Sequence, residues 1–120
     1  MKLFEPEPES EPLRNWLIGR GSELSLVTSE LTKLEVLGNL SKTRLVEARS
    51  FFDGLALIQL KRSILDDAVL SMQLGLKTLD AIHHATIRRL MADLEGVISY
   101  DNRLNQAIEQ LGVRVISPAD

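Results

Sequence analysis

The stretch Lys77–Leu104, KTLDAIHHATIRRLMADLEGVISYDNRL, decides how the rest of the chain is read. Its first part predicts a helix capped by Thr78, with Leu79, Ile82, Thr86, Leu90 and Met91 along one side. Gly96–Tyr100 then predicts a short apolar strand, and a second helix begins just past Asp101. Two carboxylates stand at the joints of this unit: Asp80 in a first helical turn, and Asp101 at the C-terminal end of a strand. In open α/β sheets ligands gather at the carboxyl ends of strands. Both acids are therefore candidates for chemistry.

Downstream, Asn102–Leu111 reads as a helix closed by Gly112, and Val113–Ser117 as a last strand before Pro118. Upstream, Leu65–Leu74 predicts a helix burying Ala68, Val69 and Met72, ended by Gly75, and Ile58–Lys61 a short strand. Thr43 is placed to cap a helix running to about Leu57, with Leu45, Ala48, Phe52 and Leu55 inward. A further helix, about Ser29 to Leu40, carries Leu31, Leu34 and Leu37 as its core stripe. Leu24–Thr28 is a strand candidate. Before it, Ser10 can cap a helix with Leu13, Trp16 and Leu17 on one face, ended by Gly19 and Gly21. Strands alternating with helices predict an α/β fold with a parallel sheet covered on both faces. The opening is odd for such a fold, since a helix fragment stands where a buried strand is expected.

The totals narrow the function. A chain of 120 residues is one domain with a single core. With no cysteine, disulfides and thiolate metal sites are excluded, and a reducing, cytoplasmic setting suits the composition. The only two histidines, His83 and His84, are adjacent, so a histidine zinc cage is not expected. A net charge of −3 argues against a purely electrostatic nucleic-acid binder, although a carboxylate–metal nuclease carries its own acidic pocket. No apolar run approaches the roughly 18 residues of a membrane span. The acidic EPEPESEP near the N-terminus carries no signal-peptide features.

Each acid also has an ordinary explanation. Glu35 completes Thr32-x-x-Glu35, a capping-box pattern, although the helix start near Ser29 makes Thr32 interior. The helix dipole accounts for an isolated Asp80 as well as catalysis does. N-capping accounts for an isolated Asp101. The functional reading needs all three acids together, as oxygen ligands of a divalent cation. Arg88-Arg89 and Lys61-Arg62 can touch phosphates, but basic pairs on helices are ordinarily solvated. A histidine packed beside the sheet is the expected role of the His83–His84 pair.

LKTLDAIHHATIRRL and VISYDNRLNQAIEQLGVRVISP resemble the PIN-domain ribonucleases, specifically the VapC toxins of bacterial toxin–antitoxin pairs. The first stretch matches the family's Leu-Arg/Lys-Thr-Leu followed by an acid, here Asp80. The second matches an acid after a strand ending Thr/Ser-Tyr, here Asp101. LVTSELTKLEVLGNL resembles the helix that bears the family's Glu, here Glu35, and KLFEPEPES resembles the tail of its first helix. The resemblance implies a three-layer α/β/α sandwich with a central parallel sheet, in a single PIN-like domain over residues 1–120. It implies a Mg²⁺- or Mn²⁺-dependent endoribonuclease with Glu35, Asp80 and Asp101 as metal ligands and catalytic acids. It also implies an RNA substrate, a VapB-type antitoxin and a homodimer.

One departure stands out. The family opens with a strand ending in Asp-Thr-Ser or similar, whose Asp is a fourth site acid, and this sequence has no such strand. The fold is therefore expected to be N-terminally truncated, with a weakened metal site and two neighbouring strand edges bare. That leaves a second expectation: a catalytically impaired remnant that acts only as an antitoxin-binding module. A receiver-like signalling domain fits the periodicity but lacks the acidic cluster such domains carry after their first strand.

Overall fold

The computed structural model describes residues 15–19 and 26–118. Residues 15–19 form a short helix, α1, with Trp16 and Leu17 half-buried. There follow β1 (Val27–Ser29), α2 (Glu30–Asn39), α3 (Lys42–Asp53), β2 (Ala56–Ile58), α4 (Arg62–Met72), α5 (Thr78–Leu90), a 3-10 turn (Met91–Asp93), β3 (Val97–Ile98), α6 (Asn102–Gln110) and β4 (Val115–Ile116). The alternation of strands and helices is that of an α/β sandwich. Among the described residues there are two separate two-stranded parallel sheets, β1 with β2 and β3 with β4. The predicted Ser10 cap, Leu13 and Leu24 lie outside the described residues.

The chain clusters into two compact units, one ending at Gln59 and including Pro118, the other running Leu60–Ser117. In the first, β1 pairs with β2 in the register Val27 to Ala56 and Ser29 to Ile58. The connection is a helical hairpin of α2 and α3. Ser29 begins α2 in extended backbone, and its Oγ accepts the Thr32 N–H at 3.0 Å. This places Thr32 inside the helix and rules out a Thr32–Glu35 capping box. Among the described residues, the buried side chains here are Leu31, Val36, Ala48 and Phe52, with Phe51 edge-on to Phe52.

Several expected boundaries shift. Ser41, not Thr43, holds the N-cap position of α3, and that helix stops at Asp53 where Gly54 takes the C-cap. The strand expected at Ile58–Lys61 is Ala56–Ile58. Leu34 is exposed, so the α2 core face runs through Leu31 and Val36 instead.

In the second unit α4 and α5 pack along each other, and α6 packs on α5 and β4. Ile64, Ala68 and Ser71 form the buried face of α4, at i, i+4 and i+7. Val69 and Met72, expected inside, are exposed, as is Leu79 on α5. The buried residues of α5 are Ala81, Ile82, His84, Ala85 and Thr86. Lys77 holds the N-cap position of α5 in place of Thr78. Leu104, Ile108 and Val113 form a buried cluster against Ile87, Val97, Leu111 and Val115, which ties α6 to β3 and β4. Gly112, at φ +83°, closes α6 in the left-handed conformation that glycine adopts without strain. Gly96 is required for a different reason. A Cβ there would lie 3.1 Å from the Arg114 carbonyl and 2.8 Å from Ile116 Cδ1, so the bare backbone lets β3 approach β4.

Candidate active site

Asp101 leaves β3 and enters α6. Its backbone is extended, and its Oδ1 accepts the Leu104 N–H at 2.9 Å. The N-cap explanation is therefore correct for one carboxylate oxygen. The other makes no hydrogen bond or ion pair among the described residues. The residue is exposed. Its position is fixed by its neighbours: the Ser99 carbonyl accepts from Asn105 Nδ2 at 3.2 Å and from Ser117 Oγ, and Asp101 N–H donates to Ser99 Oγ at 3.3 Å. These bonds join the ends of β3 and β4 to the first turn of α6.

Asp80 is the third residue of α5, in the first turn where the helix dipole favours a carboxylate, and it is half-exposed. It belongs to the same compact unit as Asp101, on a helix that packs against α6. Glu35 is half-exposed in the middle of α2, in the other unit. Among the described residues, no group of three or more His, Asp or Glu side chains is gathered closely enough to hold a metal ion. The donor chemistry of Asp80 and Asp101 nevertheless suits a hard cation. Mg²⁺ is commonly held by one or two carboxylates, with water and substrate phosphate completing its shell.

The histidines do not join these acids in a metal cluster. His84 is buried, with only 1% of its surface exposed. Its Nδ1 lies 2.7 Å from Ser71 Oγ on α4. Arg88 Nη2 donates to the Asp67 carbonyl at 2.7 Å and to the same Ser71 Oγ at 3.3 Å. With a guanidinium donating into Ser71, the hydroxyl hydrogen is free to point at His84 Nδ1. That leaves a neutral ring with its proton on Nε2. Nε2 is buried without a hydrogen bond among the described residues. Burial, and then the neighbouring Arg88 charge, hold the His84 pKa below its ordinary 6.5, and the Ala107 backbone opposes the shift. Arg89 is engaged as well, with Nε 3.0 Å from Asp67 Oδ2. The Arg88-Arg89 pair is thus tied to α4. Only Arg88 reaches the buried Ser71–His84 pair, while Arg89 stays exposed on Asp67.

No helix among the described residues is long and apolar enough to cross a membrane. The PIN domain family matches residues 1–109. The chain is 34% identical over 119 residues to Ribonuclease VapC46 of Mycobacterium tuberculosis, covering 99% of this chain and 92% of that protein. It is 34% identical over 123 residues to Ribonuclease VapC35 of the same organism, covering 98% of this chain and 90% of that protein. Ribonuclease VapC47 is similar at 31% over 124 residues. No solved structure matches the chain. With strands paired in parallel, helices between them, and a family match that spans both compact units, the chain belongs to the PIN-domain family and is of the VapC type.

Proposed function

We propose that this chain is a metal-dependent endoribonuclease, the toxin of a VapBC-type pair. In this reading Asp80 and Asp101 hold Mg²⁺ or Mn²⁺, Glu35 is the third acid, and the substrate is cellular RNA. Asp101 carries the argument: a carboxylate fixed at the exit of a parallel strand, one oxygen on the α6 cap and the other without a partner among the described residues. When bound, the cation would neutralise the phosphate and lower the pKa of a water. The protein's own contribution is placement. The cap on Leu104 and the bonds through Ser99 hold the Asp101 carboxylate at the strand end. Asp80 stands in the first turn of α5, where the helix dipole favours a carboxylate.

The names of the VapC relatives, each covered over nine-tenths of its length or about that, support ribonuclease activity over a purely antitoxin-binding role. A VapB-type antitoxin as partner, a homodimer, a single PIN-like domain and a cytoplasmic location complete the proposal. The test is cleavage of total RNA by the full chain in Mg²⁺, with EDTA and Asp80→Asn as controls. Cleavage should vanish in both. Activity that persists in EDTA or in Asp80→Asn would show that these acids do not hold a catalytic metal. Asp101→Asn refines the result: an asparagine still caps α6, so lost cleavage with unchanged thermal stability separates ligand from cap.

A further inference from the structure

In the second unit, a groove of about 260 Å³ runs between the α4–α5 loop, Leu74–Leu76, and one face of α6. The α6 residues are Arg103, Gln106, Ala107 and Gln110, at i, i+3, i+4 and i+7, which is a single helical stripe. The geometry points to a subsite for one nucleotide of single-stranded RNA beside the scissile bond, with its phosphate on Arg103 and its base edge on Gln106 and Gln110. This inference rests on the ribonuclease reading and adds a binding surface to it.

The groove is chemically divided. Leu76 and Ala107 are buried and form its floor, while Leu74 is 60% exposed and offers an apolar wall for the face of a base. The loop supplies little polar chemistry there. The Leu74 and Gly75 N–H groups are spent on the Ser71 and Met72 carbonyls that end α4. The polar groups come from α6. Arg103, Gln106 and Gln110 are exposed, and none makes a hydrogen bond or ion pair among the described residues. A free guanidinium suits a phosphate, and two glutamine amides can each donate to and accept from a base edge. The lining contains one cation and no acid, in a chain whose net charge is −3. An RNA strand approaching carboxylates needs such a path, because its phosphates are repelled elsewhere.

Size and position agree. The volume falls below the roughly 300–1,000 Å³ of pockets that enclose whole drug-sized ligands, so the groove suits one nucleotide unit and not a folded RNA element. Arg103 lies two residues after Asp101, and the 74–76 loop leads through Lys77 into the turn that carries Asp80. Both candidate acids are therefore near neighbours in sequence of the residues that line the groove.

The test measures binding of a fluorescein-labelled single-stranded RNA oligonucleotide to the full chain in EDTA, by anisotropy across a salt series. Arg103→Gln should weaken binding about tenfold or more, as expected for loss of a charge-assisted hydrogen bond. It should also reduce the slope of log affinity against log salt by about 0.7, the value for one phosphate contact on a single strand. Arg103→Lys should restore the slope. The double variant Gln106→Ala, Gln110→Ala should lose affinity with its slope unchanged. Because all three side chains are exposed, melting temperatures should match the parent. If Arg103→Gln melts early, the glutamine double variant decides, and parental affinity there overturns the proposal. Parental affinity and slope in Arg103→Gln overturn it, as does a parent chain that binds no RNA. A chain that binds RNA through Arg103 yet does not cleave it in Mg²⁺ keeps the subsite and removes the nuclease reading. Cleavage with Arg103→Gln unaffected does the reverse.

Discussion

The two parallel strand pairs are supported by different means. β1 and β2 are joined by a helical hairpin, and their residues Val27 and Leu57 are exposed. β3 and β4 are joined by one helix, and all their residues are half-buried, with Val97 and Val115 packed against the Leu104, Ile108 and Val113 cluster. Among the described residues, the buried hydrophobics of the first unit are Leu31, Val36, Ala48 and Phe52, whereas α4, α5 and α6 contribute a longer series. A parallel pair normally has both faces covered. Among the described residues, the unit with more buried side chains is the one that holds Asp80 and Asp101. Of the three acids proposed for the site, Asp80 and Asp101 thus stand on the unit with more buried apolar side chains among the described residues, and Glu35 on the other.

Core truncation should break this comparison most visibly. Phe52 is 1% exposed and dominates the described core of its unit. Phe52→Ala should cost about 3–5 kcal/mol, and native-state hydrogen exchange should show α2 and α3 opening before α5 and α6. Equal acceleration in all four helices would mean that the units do not differ in local stability. Next in size is Gly96→Ala, where the Arg114 carbonyl must give way. A loss of about 1–3 kcal/mol is expected, read as a lower denaturant midpoint. A neutral substitution would mean that β3 and β4 can separate without penalty.

The Ser71–His84–Arg88 network gives a pH-dependent test. His84 is held neutral, with a folded-state pKa below 6.5. The unfolded chain therefore binds its proton at higher pH than the folded one. The stability contributed by neutral His84 is complete above the unfolded value of 6.5. It declines as pH falls through that value toward the lowered folded one. Denaturation midpoints should thus fall between pH 7 and pH 5, and His84→Gln should flatten the profile. An unchanged slope in that variant would assign the pH dependence to other groups. Smallest is Ser29→Ala, which removes the α2 cap and should cost about 0.5–2 kcal/mol.

The sequence placed most of this architecture correctly because apolar spacing and turn chemistry are local. The α6 boundaries follow from Asp101 as cap and Gly112 as stop, both legible without tertiary information. The face of α4 was not legible in the same way. Its inward row includes Ser71, a polar residue that enters the core only because His84 and Arg88 meet it from α5. A search for an apolar row selects Val69 and Met72 instead, which are exposed. Strand lengths were overestimated because apolar sequence extends beyond the residues that find a ladder partner. Asp80 and Asp101 stand at the joints where the sequence put them, whereas the groove residues Arg103, Gln106 and Gln110 carry only a polar helical stripe as their signal.

In the proposed cation site, the hydrogen bond from Leu104 to Asp101 Oδ1 bears on ion choice. A carboxylate already engaged at one oxygen meets a cation as a monodentate ligand, with its torsion set beforehand. Calcium, large and tolerant of bidentate chelation, gains little from such a group, while a small ion that prefers an octahedron of single oxygens loses nothing.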